Sequence, residues 1–189
     1  NFVTASKFQA RSISADPANF KLLEGLMISF IAQGSVDEAV SIAEVYKDTG
    51  SESQISQMVL LASMIKDGQT ETFLNFVKNA SEITPILKDL LSAWIRMGLD
   101  DEVNANRIFD KTAKVQGMGQ FANFHRAMSQ LAAGKVDQAQ RTFDLIHSDQ
   151  ANPTRRSVIY HTKILLSQSK FKEAQQLIEK WFGPTFDPE

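Results

Sequence analysis

The 189-residue chain has no cysteine, only five prolines and no long hydrophobic run. Without thiols it can form no disulfide, no cysteine-ligated zinc site and no iron–sulfur cluster, and it has no thiol nucleophile. No apolar stretch in the sequence is long enough to span a bilayer. The small numbers of proline and glycine favour long helices separated by short turns. The chain must therefore fold through an apolar core of its own.

The chain also lacks an excess of either charge, since 20 basic residues stand against 22 acidic ones. A nucleic-acid-binding domain typically shows a basic excess or a basic stripe. Apolar residues make up 43% and charged residues 22% of the chain, which is close to the composition of folded soluble domains. The composition therefore predicts a folded domain and argues against nucleic acid as its partner.

Apolar residues recur at spacings of three and four along most of the chain, a pattern that predicts α-helices. The clearest segments are 20–33, 55–66, 86–97, 121–133 and 158–167. No segment alternates strictly between apolar and polar residues, so the sequence predicts no strand. The whole pattern corresponds to eleven helices, of which the first, over residues 2–14, has no preceding helix to pair with.

A short motif recurs at the start of several predicted helices. It has a small residue first and alanine last in Gly34–Ala39, Gly134–Ala139 and Ser169–Ala174, and weaker copies begin at Gly68 and Gly98. The first residues of the five copies are separated by 34, 30, 36 and 35 residues. This near-constant spacing predicts a helical repeat with one tight turn in each copy.

The spacing and the turn residues resemble the tetratricopeptide repeat, in which an antiparallel helix pair recurs every 34 residues. Leu26, Phe30, Gly34, Glu38 and Ala39 fit the pattern of that family in register. The resemblance covers nearly the whole chain. It implies an all-α, right-handed superhelical solenoid, with one domain over residues 1–189 that contains about five helix pairs and an unpaired N-terminal helix.

The later copies depart from the family pattern. Phe73 and Val103 stand where the family has alanine, and Ser169 stands where it has glycine. These departures affect the packing between helices and the turn, so we expect a less regular superhelix without a change of fold class.

A second resemblance concerns the C-terminal part of the chain. Residues Pro153–Ser157, His161, Leu165 and Phe182-Gly183 are similar to those of tetratricopeptide-repeat proteins from alpha-proteobacteria that carry a signal peptide. This resemblance implies a bacterial protein that is periplasmic or exported, with the cytoplasm as the alternative. Because the chain begins with Asn1 and its first helix is unpaired, we expect a fragment or processed form of a longer repeat protein.

The sequence contains no familiar motif for catalysis or for binding phosphate. It has no glycine-rich phosphate loop, no His-Glu-x-x-His and no Gly-x-Ser-x-Gly nucleophile turn. His147 and Asp149 supply only two possible metal ligands, too few for a site. The acidic run at 100–102 opens a predicted helix, where acids favour the helix dipole. We therefore predict a non-enzymatic chain without catalytic residues, cofactor or metal.

In tetratricopeptide repeats the first helix of each pair lines a concave groove, and the resemblance places the candidate partner site there. Counting back from each turn selects Lys88, Ser92 and Arg96 on one helix, Phe121, Phe124, His125 and Met128 on the next, and Arg156, Ile159 and Lys163 on the last. An aromatic strip flanked by cations suits a peptide with apolar and acidic residues. The alternative is that Phe121 and Phe124 belong to the core and that the cations are only solvated.

We expect a protein–protein interaction scaffold that binds an extended or helical segment of a partner protein in this groove. One alternative is the non-catalytic helical arm of a larger enzyme. A further alternative, disfavoured by the neutral charge, is an RNA-binding helical repeat that reads one base per unit.

Overall fold

The computed structural model describes residues 1–148 and 153–183. In this part of the chain it contains eleven α-helices and no strand, which confirms the predicted all-α class. The helices are α1 (Phe2–Ala15), α2 (Phe20–Gln33), α3 (Val36–Asp48), α4 (Gln54–Lys66), α5 (Thr70–Asn79), α6 (Pro85–Gly98), α7 (Glu102–Ala113), α8 (Gly119–Ala132), α9 (Val136–Ile146), α10 (Arg155–Ser167) and α11 (Phe171–Phe182). None of these helices is both long enough and apolar enough to cross a membrane.

The chain divides into two compact units, Asn1–Lys88 and Asp89–Glu189, with the boundary inside α6. Helices α1 to α5 pack in chain order in the first unit, and α7 to α11 do so in the second. In the first unit α2 also contacts α4, the next-but-one helix along the chain. One domain over residues 1–189 stays a prediction, while the packing itself groups the helices into these two units.

Each unit has an apolar core of its own. In the first unit Leu23 and Met27 of α2 pack against Ala39 and Ala43 of α3 and against Val59 of α4. The corresponding cluster of the second unit consists of Ala127, Ala139, Phe143, Ile146 and Ile164. In both units, alanines on the second helix of a pair let the two helices approach closely.

Five turns between helices share one backbone geometry. Each contains one residue with a positive φ between 58° and 78°, at positions 34, 68, 100, 134 and 169. In the first turn the amide of Gly34 donates to the carbonyl of Ile31 at 3.0 Å, and the amide of Ser35 donates to that of Phe30 at 2.9 Å. The other four turns contain the same two hydrogen bonds. This arrangement pairs the last carbonyls of a helix and ends it sharply.

The third of these turns differs from its sequence-based position. Gly98 is the last residue of α6, and Asp100 is the residue with positive φ. The turns are therefore separated by 34, 32, 34 and 35 residues, a more regular spacing than the sequence predicted. Aspartate tolerates the left-handed region better than most residues, so the glycine two positions earlier is a misleading marker of the turn.

The corrected register also identifies the equivalent buried position in the helix after each of the five turns. Five positions after the left-handed residues lie Ala39, Phe73, Ala105, Ala139 and Ala174, and all five are at most 2% exposed. The family's alanine position, which the sequence pattern assigned to Val103, therefore belongs to Ala105, since Val103 is 73% exposed. Among these five positions only Phe73 departs from alanine.

We expect Gly34→Ala to lower the free energy of unfolding by about 1–2 kcal/mol, because alanine is strained in the left-handed region. A Cβ at Gly34 meets no atom within 4 Å, so the loss comes from the backbone alone. The reverse change, Ser169→Gly, should raise the free energy of unfolding by about 0.5–1 kcal/mol. Urea unfolding of both variants measures these effects.

Gly98→Ala is the matched control for this prediction. Gly98 is helical, and a Cβ added there also meets no atom within 4 Å. Since alanine favours a helix over glycine, the free energy of unfolding should stay the same or rise. A loss at Gly98 as large as that at Gly34 would contradict the placement of the turn at Asp100.

We expect Ala105→Leu and Ala139→Leu each to lower the free energy of unfolding by about 1–3 kcal/mol, because both overpack a fully buried helix contact. Val103→Leu, two positions away on the exposed face, should change it by less than about 0.5 kcal/mol. Chemical denaturation of the three variants tests the buried register, and equal losses at positions 103 and 105 would refute it.

Candidate functional site

The second unit contains a cleft of about 530 Å³ between α6, α8 and the start of α10. We call it the aromatic cleft, and its principal walls are Trp94 of α6, Phe121, Phe124, His125 and Met128 of α8, and Arg156 of α10. Residues spaced by three and four lie on one face of a helix, so the four residues of α8 form one wall. The predicted aromatic strip therefore lies together on this wall.

A hydrogen bond joins the α6 wall to the α8 wall. Trp94 Nε1 donates to His125 Nδ1 over 3.2 Å. Because an indole nitrogen only donates, His125 Nδ1 accepts and the ring hydrogen of the neutral imidazole lies on Nε2. Burial, and second the positive charge of Arg156, lower the pKa of His125. At neutral pH this imidazole is therefore an uncharged part of the cleft.

Arg156 places a positive charge beside the aromatic wall. Its Cζ lies 5.7 Å from the ring centre of Phe124 and 6.0 Å from that of Tyr160. An arginine beside an aromatic face is stabilised by the ring quadrupole, and its guanidinium carries five N–H donors. The rim of the cleft thus combines an apolar surface with a donor group suited to carboxylates.

The two phenylalanines of α8 have different surroundings. Phe121 is 46% exposed, and its ring meets that of His125 edge-on at 4.6 Å. Phe124 is half-buried and packs edge-on against Phe143 at 6.2 Å and Tyr160 at 6.1 Å. Phe121 is therefore a surface of the cleft, whereas Phe124 belongs both to the cleft and to the core.

Five of the ten predicted groove residues do not line the aromatic cleft: Lys88, Ser92, Arg96, Ile159 and Lys163. Arg96 Nη1 lies 2.6 Å from Asp101 Oδ2 at the turn after α6. Lys163 is exposed on α10, with its Nζ 5.4 Å from the ring centre of Tyr160. Lys88 is the last residue of the first unit. The structure thus brings together Phe121, Phe124, His125, Met128 and Arg156.

Trp94 is missing from the predicted groove residues of α6, because those residues were selected by counting back from Gly98. Six residues before the left-handed residue Gly134 lies Met128, and six before Asp100 lies Trp94. Both side chains line the aromatic cleft. The repeat pattern therefore contained the signal for Trp94, and only the register of one turn obscured it.

The acidic run after α6 stabilises the start of a helix, as predicted. Asp101 is the N-cap of α7 and accepts a hydrogen bond from the amide of Asn104. Hydrogen bonds from Asn104, followed by those from Arg96, lower the pKa of Asp101. A hydrogen bond from Lys135 lowers the pKa of Glu102. Both carboxylates are therefore already hydrogen-bonded to other side chains of the second unit.

Two buried histidines lie next to the aromatic cleft in the same unit. The Nδ1 atoms of His147 and His161 are 2.8 Å apart, and His147 Nε2 lies 3.1 Å from Ser157 Oγ. The hydroxyl of Ser157 also lies 2.8 Å from the carbonyl oxygen of Thr154, and both residues line the cleft. His161 Nε2 lies 3.4 Å from Asp144 Oδ1. No local pattern in the sequence indicates this pairing, because the partners are 14 residues apart, with His147 at the C-cap of α9 and His161 within α10.

Asp149, considered with His147 in the sequence, lies outside the described residues. Within residues 1–148 and 153–183, no group of three or more histidine, aspartate or glutamate side chains is placed to hold a metal ion.

Comparison of the chain with models of protein families, with curated proteins and with solved structures gives no match. Membership of the tetratricopeptide-repeat family therefore stays a prediction from the repeat pattern. The geometry of the aromatic cleft is the main observation that bears on function.

Proposed function

We propose that this chain is a tetratricopeptide-like repeat protein whose helix pairs form a right-handed superhelical solenoid, and that it is a scaffold for protein–protein interactions. The five equivalent turns and the buried alanines support this architecture. Ion pairs between successive helix pairs support it too: Asp37 with Lys66 in the first unit and Glu102 with Lys135 in the second. Such contacts between neighbours are typical of stacked repeats.

The aromatic cleft is the observation that favours a protein segment as the ligand. Its walls of Trp94, Phe121 and Met128 offer apolar contacts to one large side chain, and aromatic anchors dominate binding energy in protein interfaces. Arg156 offers charge-assisted hydrogen bonds to a carboxylate beside that anchor. The ligand we propose is a short segment with an aromatic or aliphatic residue next to aspartate or glutamate.

Single-stranded RNA is the competing ligand, because aromatic rings and arginine also stack on bases. The net charge of −2 disfavours a polyanion. The net charge of the chain thus weighs against a polyanion, while the apolar walls and the local charge of Arg156 favour a short peptide with one or a few carboxylates.

The fluorescence of Trp94 provides a direct test. The chain has two tryptophans, so Trp181→Phe leaves Trp94 as the only reporter, inside the cleft. This protein is titrated with two peptides that share one phenylalanine anchor, flanked by glutamates in one and by lysines in the other, and with a single-stranded RNA. We expect a saturable change with the acidic peptide. Equal responses to both peptides, or tighter binding of RNA, would refute the proposal.

We expect Phe121→Ala to weaken binding of the acidic peptide by about 1–2 kcal/mol, because it removes an aromatic contact surface from the cleft. Phe171→Ala is the matched control, since Phe171 is 64% exposed in the same unit and does not line the cleft. Peptide titration measures affinity, and circular dichroism checks that both variants stay helical. Similar losses in both variants would place the binding surface elsewhere.

We expect Arg156→Glu to weaken binding by about 1 kcal/mol at low salt and to reduce its salt dependence, because a rim cation acts mainly on association. Lys163→Glu makes the same charge change on the same helix outside the cleft and should have little effect. Stopped-flow titration of Trp94 fluorescence at two salt concentrations separates association from dissociation. An equal response to both substitutions would indicate a general charge effect and no specific contact.

A further inference from the structure

The buried histidines His147 and His161 form part of an aromatic stack that spans three helices of the second unit. Their exposed fractions are 7% and 3%, and their rings lie 5.0 Å apart with an angle of 11° between the planes. Phe143 of α9 stacks on both rings, at 6.1 Å and 5.5 Å, and Trp181 of α11 lies 6.4 Å from His147. The pair therefore lies where α9, α10 and α11 meet.

The contact between the two Nδ1 atoms limits how many protons the pair can hold. At 2.8 Å, one nitrogen donates a hydrogen and the other accepts it, so the two atoms share one hydrogen. Protonating both rings puts a hydrogen on each Nδ1 atom. Two donors and two positive charges then face each other inside the core, which breaks the contact.

The pair is connected to the aromatic cleft through the start of α10. Ser157 is 1% exposed, lies 3.1 Å from His147 through its hydroxyl, and lines the cleft. Arg156 is its neighbour in the chain and carries the charge of the rim. A separation of His147 from His161 would therefore displace the α10 wall of the cleft.

We infer that the His147–His161 pair is a pH-sensitive joint, which holds α10 and its wall of the aromatic cleft against α9 at neutral pH and releases them on acidification. The part of this inference that concerns ligand binding rests on the proposed function. The part that concerns the packing of α10 on α9 stands on the histidine geometry alone.

The surroundings of the pair agree with this inference. Burial is the first cause that lowers the pKa of both histidines, and that of His147 falls to about 4. The charged groups that face the pair come from α9, from α11 and from the residue before α11: Asp144 and Glu173, which favour protonation of His161, and Lys170 and Lys180, which oppose protonation of the pair. Burial outweighs the two carboxylates, so both rings are neutral at pH 7.

The sign of the pH dependence follows from these lowered pKa values. An unfolded histidine takes up a proton below about pH 6.5, whereas folded His147 stays neutral down to about pH 4. Between these values the opened state binds more protons, so the closed state loses stability as the pH falls. The equilibrium constant for closure should fall by up to about tenfold per pH unit for each histidine that stays neutral when closed.

Native-state hydrogen exchange tests the joint without any ligand. Amide protection, corrected for intrinsic exchange rates, is measured at pH 7 and pH 5 on the whole chain. The first unit contains no histidine and is the internal reference. We expect protection in α9 and α10 to fall by tenfold or more relative to that in α2 and α3. An equal change in both units would overturn the inference.

Two variants distinguish the contribution of the His147–His161 pair to this pH dependence from that of His125. In His147→Gln/His161→Asn the amides replace the ring nitrogens without titrating, so the extra pH dependence of α9 and α10 should disappear. His125→Gln removes the third histidine, and in this variant the extra pH dependence of α9 and α10 should remain. Persistence of the effect in the double variant would refute the joint. If the double variant does not fold, NMR titration of the wild-type rings decides, and ordinary histidine pKa values there would refute it equally.

Peptide binding at the two pH values tests the connection to the cleft. We expect the acidic peptide to bind at least fivefold more weakly at pH 5 than at pH 7 to the wild type, with a smaller change in the double variant. A loss of protection in α10 with unchanged peptide affinity would refute the connection to the cleft. Failure to bind peptide at either pH would refute the proposed function, while hydrogen exchange would still decide on the joint.

Discussion

The left-handed residue at each of five turns is the constraint on which the helix pairs depend. Because it ends one helix and the next begins two residues later, it sets the rotational position of every side chain on the second helix. The residue five positions later is therefore buried, and Ala39 and Ala139 are examples. Counting six positions backwards from Asp100 and Gly134 gives Trp94 and Met128, both in the aromatic cleft. One backbone conformation thus determines both the core and part of the site.

The aromatic cleft and the buried histidine pair are parts of one packed region. Phe124 lines the cleft and contacts Phe143, and Phe143 stacks on both His147 and His161. Side chains in a close-packed core shift together, because few voids are available to absorb a displacement. The recognition proposed at the surface of the cleft and the protonation inferred beneath it would therefore act on the same helix contacts.

Five of the ten predicted groove residues line the aromatic cleft, and four of these lie on α8. These four could be predicted because helical periodicity determines which residues share a face. Phe121, Phe124, His125 and Met128 follow directly from the spacing along one helix. Arg96 shows the limit of this reasoning, since its position on the helix was predicted from a turn two residues too early. Its side chain instead pairs with Asp101, a contact that depends on where the next helix begins.

The amino-acid sequence by itself determined the helical class, four of the five turn positions and the approximate bounds of six helices, because these depend on interactions between residues close in the chain. The tertiary structure alone decided that Asp100 ends the third turn, since glycine and aspartate can both adopt that conformation and packing selects between them. It also decided the contact between His147 and His161. His147 follows the end of α9 and His161 lies within α10, so the two rings meet only when these helices pack, and no local pattern specifies that distance.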